Sequence, residues 1–361
     1  MEKFGLDIDK LNVVGHVLAD HVQKKTTPGA VGLVLRRAGV VTHWALGNHT
    51  YDLGAPPVLI QDIFDLASVT KTVVTTTLCA LFVDLGKLDL DAPIQQYVPR
   101  FVGDGKTLVT ARYVLAHCGG LPAHVHLYKQ HSGRDAILNA VCALELAYQP
   151  GRETAYSDMG FLVLGMALEA IGGERLDVLA QEYVFDPLNM QDACYCPKAS
   201  LKPRILPTEA KTNLRNELVW GEVHDENAAA MGGVASHAGV FATADDVARL
   251  LQMWLCGGVL DGKRMLSEAV VTLFTQRALL APNSTWALGW DTVSVGGSST
   301  GHSFSERSFG SLGFTGTSIW ADPERDLGVV LLTNRVHPTR DNWQIKDLRP
   351  AFHNAVSEAL V

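Results

Sequence analysis

The sequence predicts an α+β protein, an antiparallel sheet flanked by terminal helices with a mainly helical lobe inserted between its strands. Three observations lead there. β-Branched and apolar runs stand near both ends of the chain, a long stretch of helical periodicity separates them, and an amphipathic helix lies at each terminus. The expected division puts residues 1–66 and 285–361 in the sheet lobe and residues 67–284 in the helical lobe. The cleft between such lobes is where a site is expected.

Leu11, Val14, Leu18 and Val22 fall at helical spacing and end before Thr26-Thr-Pro-Gly29, which marks the first helix. Residues 30–37 and 40–46, on either side of Ala38-Gly39, read as a hairpin. From about residue 68 to 277 the periods Val74/Leu78/Leu81/Leu85, Phe161/Leu164/Leu168 and Val247/Leu250/Leu251/Trp254 are helical, with Gly and Pro between them. Strands return at 288–295, 317–321 and 327–333, the last two joined by Asp322-Pro-Glu-Arg-Asp326. A helix carrying Leu348, Phe352, Val356 and Leu360 closes the chain.

The 361 residues, 47% hydrophobic and 19% charged, can bury a large core. Thirty Lys and Arg against 38 Asp and Glu give a formal charge of -8 with no long block of one sign, so nucleic acid is not expected as a partner. No apolar run reaches the roughly 18 residues of a membrane span. The first ten residues alternate charged and apolar side chains without a signal core. A cytoplasmic location is therefore expected for the chain as it stands, and a periplasmic one had a signal peptide been removed. The six scattered cysteines suit a reducing compartment. Cys194-Tyr-Cys196 and His124-Val-His126 lack the further ligands of a metal site, and no metal or cofactor is expected.

Ser68-Val-Thr-Lys71 fits S-x-x-K at the point where a loop gives way to helical periodicity. Residues three apart share a helix face, which puts the Lys71 amine within reach of the Ser68 hydroxyl. A serine becomes nucleophilic when a neighbouring base takes its proton, and a lysine shielded from water can do that. Read alone, the motif is weak, and the better reading is that Ser68 merely caps a helix with Lys71 a solvated first-turn residue. Tyr156-Ser-Asp158 adds weight: it follows Pro150-Gly151 and opens a helical period, so Tyr156 projects at a strand-to-helix corner.

That corner resembles the Y-x-N motif of the penicillin-recognising serine hydrolases, the family of class C β-lactamases, DD-carboxypeptidases and related esterases. Four further segments are similar to family segments in family order: Phe64 to Lys71, Leu115-Ala-His-Cys-Gly-Gly-Leu-Pro122, Gly232 to Phe241, and Gly313-Phe-Thr-Gly-Thr through Pro323. The resemblance implies the two-lobed β-lactamase-like fold and an acyl-enzyme on Ser68, with Lys71 and Tyr156 shuttling protons. It also implies an oxyanion hole from the backbone NH groups of Ser68 and Phe314.

The third family motif, K-T-G or H-T-G, departs. In the register set by Gly313-Phe-Thr-Gly those positions are Ser311-Leu312-Gly313, without cation or threonine; a shift to Phe314-Thr315-Gly316 restores the threonine and still lacks the cation. Asp158, Ser311, Gly313 and Phe314 are the expected substrate-binding residues. Loss of the cation favours uncharged or esterified substrates, since a carboxylate would forgo a charge-assisted hydrogen bond. Asp158 in place of asparagine places a carboxylate near Lys71, which either weakens the lysine as a base or shifts the work to Tyr156.

Two rival motifs fail on context. Gly297-Ser-Ser-Thr-Gly301 lacks the strand-turn-helix of a nucleophile elbow, and Gly257 to Arg264 follows a helix where a phosphate loop follows a strand. His224 and His237 sit in polar or Gly-rich stretches, and Thr243-Ala-Asp-Asp246 is a capping box. The expected function is hydrolysis of an amide or ester, either a peptidoglycan-type D-amino acid peptide or a small ester. The alternative is a binding protein of the same fold impaired in turnover by the third-motif change.

Overall fold

The computed structural model describes residues 2–294 and 296–361. Its main sheet has six antiparallel strands: β1 (Gly29–Arg36), β2 (Gly39–Gly47), β3 (Asp291–Thr292), β4 (Phe309–Leu312), β5 (Ser318–Asp322) and β6 (Leu327–Thr333), in the order β3-β4-β5-β6-β1-β2. The first and last parts of the chain meet where β6 pairs with β1, Val330 opposite Leu33. β1 and β6 are apolar along their length because both faces are covered. Val31, Leu33 and Leu35 face the helical part of the molecule, and Ala30 and Val34 face the terminal helices. Gly32 allows that second contact: a Cβ there would lie 2.9 Å from both Leu18 and Phe352.

The N-terminal helix, Ile8–Gln23, begins at Asp7, whose Oδ1 accepts from Asp9 N at 2.9 Å, and buries Leu11, Val14 and Leu18. The C-terminal helix, Ile345–Glu358, buries Leu348, Phe352 and Val356 on the same sheet face.

One expectation needs correction, and one strand carries no sequence signal. The strand expected over 288–295 shrinks to β3, and its last residue, Val295, lies outside the described residues. β4 was not announced by any alternating pattern. Its Gly310 has no side chain to pattern because a Cβ there would come within 2.2 Å of the Trp320 ring.

The middle of the chain is helical as expected, with small strands among the helices. Phe64–Asp65 pairs with Val240–Ala242, which also pairs with Cys194–Tyr195. After Ser68 the chain turns into a buried helix whose first part, Lys71–Thr76, is π-helical and whose second, Thr77–Asp84, is α. Thr75 Oγ1 donates to Ser236 O at 2.6 Å and Thr77 Oγ1 to Thr72 O at 2.9 Å, side-chain bonds that accompany the widened turn. The helix Asp158–Gly172 is capped by Ser157, whose Oγ accepts from Gly160 N at 3.0 Å. Among the described residues no helix is long and apolar enough to cross a membrane.

Candidate active site

Ser68 is presented by a strained turn. Ala67, just before it, has φ +47, a left-handed conformation that costs a non-glycine residue roughly 1–2 kcal/mol. The turn is held by Ala67 N donating to Asp65 Oδ1 at 2.8 Å and Leu66 N to Val240 O at 2.9 Å. The hairpin after β4 braces it from the other side, with Thr315 Oγ1 donating to Asp65 O at 2.8 Å and Thr317 Oγ1 to Leu66 O at 3.0 Å. Gly313 permits this seam, since a Cβ there would fall 1.9 Å from Thr317 Oγ1 and 2.5 Å from Leu66 O.

Lys71 Nζ is the hub. It lies 3.1 Å from Ser68 Oγ, 2.8 Å from Tyr156 Oη, 2.7 Å from Asp158 Oδ1 and 3.4 Å from His237 O. Burial alone would push this buried ammonium towards its neutral form, but the Asp158 carboxylate and the Tyr156 hydroxyl outweigh burial and hold it above its ordinary range. Burial likewise opposes the charge on Asp158, and the ammonium of Lys71 with the hydrogen bond from His124 keeps that carboxyl far below its usual value. Burial raises the Tyr156 phenol, with Lys71 opposing. At rest the trio is therefore ammonium, carboxylate and phenol. The sequence left open what Asp158 does to Lys71; the 2.7 Å contact favours the charged form of the lysine.

Tyr156, 39% exposed, is held by rings as well as by Lys71. His117 stands 4.5 Å from its ring centroid and Trp286 5.6 Å. His117 is neutral, its imidazole pushed down to about 3 by burial and by Lys71, and its Nδ1 accepts from Ser157 N at 3.0 Å. It lies inside the quoted segment 115–122, although sequence reasoning gave it no role.

Ser311, Leu312, Gly313 and Phe314 line the same cavity of ≈ 400 Å³ as Ser68, Lys71 and Tyr156. Thr315 is buried and spends its hydroxyl on Asp65 O, which favours the register that puts Ser311-Leu312-Gly313 on the cleft. Among the described residues no acceptor takes the backbone NH of Ser68 or of Phe314.

Sequence reasoning missed the cations of this cavity. Arg335 and Arg349 line it, both buried, and neither has a carboxylate partner among the described residues. Arg335 donates to the carbonyls of Phe314, Arg340 and Asn342, and one Arg349 nitrogen to Gly313 O and Thr317 O at 2.7 and 2.8 Å. Burial pushes their guanidinium groups down, to about 10 and about 9. The charge absent from Ser311 is thus present in the wall behind it. A second cavity shares Ser68, Tyr156 and Phe314 with the first and is lined further by His124, His126, Asp158, Asp225, Glu226 and Arg340. His224 also lines it and pairs with Glu209 at 2.9 Å, while His237 pairs with Asp225 at 2.9 Å.

A sheet built from both ends of the chain, a buried helix that opens with S-x-x-K and a facing tyrosine define a hydrolase of the β-lactamase and penicillin-binding-protein kind. The chain belongs to the Beta-lactamase family, whose profile matches residues 15–349. It is 33% identical over 347 residues to the N-acetylmuramyl-L-alanine amidase of Bacillus subtilis (strain 168), covering 86% of this chain and 78% of that one. It is 31% identical over 375 residues to a protein of Escherichia coli O157:H7 carrying the name D-alanyl-D-alanine carboxypeptidase, covering 93% and 85%. A penicillin-binding protein homologue from Caulobacter crescentus shares the fold with a TM-score of 0.75 at 21% identity, over 98% of this chain and 100% of that one.

Proposed function

We propose that the protein is a serine hydrolase that cleaves an amide or ester through an acyl-enzyme on Ser68. The observation that carries this is Lys71 Nζ lying 3.1 Å from Ser68 Oγ and 2.8 Å from Tyr156 Oη. Ser68 Oγ attacks the substrate carbonyl, its proton passes to the Lys71–Tyr156 pair, and that pair returns a proton to the departing amine or alkoxide. Water then attacks the ester in the reverse sense. Because the resting pair is ammonium plus phenol, it must shed one proton before it can accept another, so the rate rises with pH. The oxyanion is taken by the NH groups of Ser68 and Phe314.

The name of the Escherichia coli relative supports a peptidoglycan-type D-amino acid peptide as substrate, and that of the Bacillus subtilis relative supports an amide. Arg335 and Arg349 favour one bearing a carboxylate, in place of the uncharged substrate expected from the third motif alone.

A fluorophosphonate probe and a fluorescent penicillin test this, with adducts located by mass spectrometry and Ser68→Ala as control. Both reagents should label Ser68, and Ser68→Ala should lose all labelling and hydrolysis. Labelling by the phosphonate alone would favour an esterase. Labelling by neither would replace the proposal with a binding protein that does not turn over.

A further inference from the structure

Asp158 serves two partners. Its Oδ1 meets Lys71 Nζ at 2.7 Å, and its Oδ2 meets His124 Nδ1 at 2.9 Å. The other nitrogen of that imidazole, Nε2, lies 3.2 Å from Nδ1 of His126. A line of hydrogen bonds therefore runs from a lysine that is 2% exposed, through one carboxylate, to a histidine whose side chain is 38% exposed. With asparagine at position 158 there would be no carboxylate charge for the imidazole to share, so the departure from Y-x-N and the presence of His124 belong together.

We propose that His124 is a positioning residue that sets the protonation of Lys71 through the charge it places on the second oxygen of Asp158. This rests on Ser68, Lys71 and Tyr156 acting as proposed above. The Nδ1–H group donates to Asp158 whether the ring is neutral or charged. Ionisation changes Nε2, which accepts from His126 when neutral and donates to it when charged. A neutral His124 leaves the whole field of Asp158 on Lys71, holding it as ammonium. A charged His124 offsets part of that field and repels the ammonium, so the Lys71–Tyr156 pair sheds its proton more readily.

The groups facing His124 set when it ionises. The hydrogen bond to Asp158 is the largest influence and holds the imidazole above its ordinary 6.5, burial opposes it, and the charges of Asp158, Asp225 and Glu226 add to it. His126, on the same loop, is itself acted on by Lys129, Glu226 and Arg340. Of these, Asp158, Asp225, Glu226, His126 and Arg340 line the second cavity, so a charged substrate group entering there would act on Lys71 by the same route.

The test compares the second-order rate of Ser68 labelling by a fluorophosphonate, from about pH 5.5 to about pH 10, in the unaltered protein and in His124→Gln. Glutamine can keep a donor on Asp158 and cannot ionise. One pKa unit of coupling makes the unaltered protein roughly tenfold faster near pH 6, with the ratio falling to about one above pH 9. A ratio constant across pH means that His124 only braces Asp158, and overturns the proposal. His124→Leu, which also loses the hydrogen bond, should show the same pH-dependent loss on top of a constant one. Should the variants fold poorly, NMR of the unaltered protein decides the matter: Lys71 side-chain resonances that shift together with the His124 ring titration support the coupling, and Lys71 resonances indifferent to it refute it. Absence of Ser68 labelling in the unaltered protein would overturn the acyl-enzyme reading instead, leaving the ring titration to decide this one.

Discussion

Asp158→Asn tests the electrostatics of the site most directly. It keeps the size of the side chain and removes the charge 2.7 Å from Lys71 Nζ, in a pair whose side chains are 3% and 14% exposed. An opposite charge at such range shifts a partner by about 1–3 pH units, equivalent to roughly 1.4–4 kcal/mol. Without the carboxylate, the Lys71–Tyr156 pair sheds its proton at lower pH, and the rising limb of the rate profile should move down by about 1–3 pH units. At a fixed pH on that limb, labelling should gain about tenfold per unit, less whatever is lost in positioning. Folding should suffer, because stranding one partner of a buried pair costs about 3–5 kcal/mol while Lys71 stays charged. The sign with pH is also fixed. Asp158 is depressed in the folded state, so its contribution is present above the ordinary carboxylate range and lost as pH falls. The variant should therefore lose less stability on acidification than the unaltered protein. The assay is fluorophosphonate labelling across pH beside thermal unfolding of both proteins. A rising limb that stays in place or moves to higher pH would refute the argument that Asp158 holds Lys71 as ammonium.

Two further outcomes follow from buried charge away from the serine. Arg349→Met should raise KM for carboxylate-bearing substrates by about 10–100-fold, the value of one charged hydrogen bond, with little change for esterified ones. It should also lower stability by about 1–3 kcal/mol, because the carbonyls of Gly313 and Thr317 lose their buried donor; equal KM changes for both substrates would count against a carboxylate site. Glu209 accepts from Arg340 Nε at 2.7 Å and lies 2.9 Å from His224 Nε2. Burial works against its charge, yet these partners bring its carboxyl down to about 2 from 4.5, so its contribution to stability should vanish as pH falls from about 4.5 to about 2. Acid unfolding of Glu209→Gln should be flatter over that window than that of the unaltered protein, and parallel curves would exclude Glu209 as a source of the acid sensitivity.

What the sequence made legible was what local spacing controls. β1 and β6 read as strands because both faces are buried and the residues are apolar up to the last of each, Arg36 and Thr333. Lys71 could be placed beside Ser68 because three residues on a helix fix their separation, whereas Tyr156 came to the site only through the resemblance of Tyr156-Ser-Asp158 to the family's Y-x-N motif. β4 was hidden because its glycine makes room for Trp320. Arg349 was hidden for a different reason: its bonds reach back 36 and 32 residues, to Gly313 and Thr317, and no sequence period records such a distance. His124 was visible only as half of a weak metal pair with His126, because the carboxylate it serves lies 34 residues further along the chain.

The departures from the family pattern carry a common logic. A cation at Ser311 would sit on the cleft beside an ammonium that already occupies its floor. This chain has instead lowered the net charge next to the serine, adding Asp158 to neutralise Lys71, and keeps its guanidinium groups behind the hairpin, where the carbonyls of Gly313 and Phe314 receive them. Each change alone would impair acylation: the carboxylate by fixing the lysine as ammonium, the missing cation by weakening the hold on a carboxylate. On the proposed reading they transfer two functions, substrate attraction to Arg335 and Arg349 and control of the lysine proton to Asp158 and His124. On that reading, restoring the family residues one at a time should not improve the enzyme uniformly. Asp158→Asn should release the proton while removing most of the control that His124 exerts over it, so near pH 6 the variant's labelling rate should respond far less to His124→Gln than that of the unaltered protein.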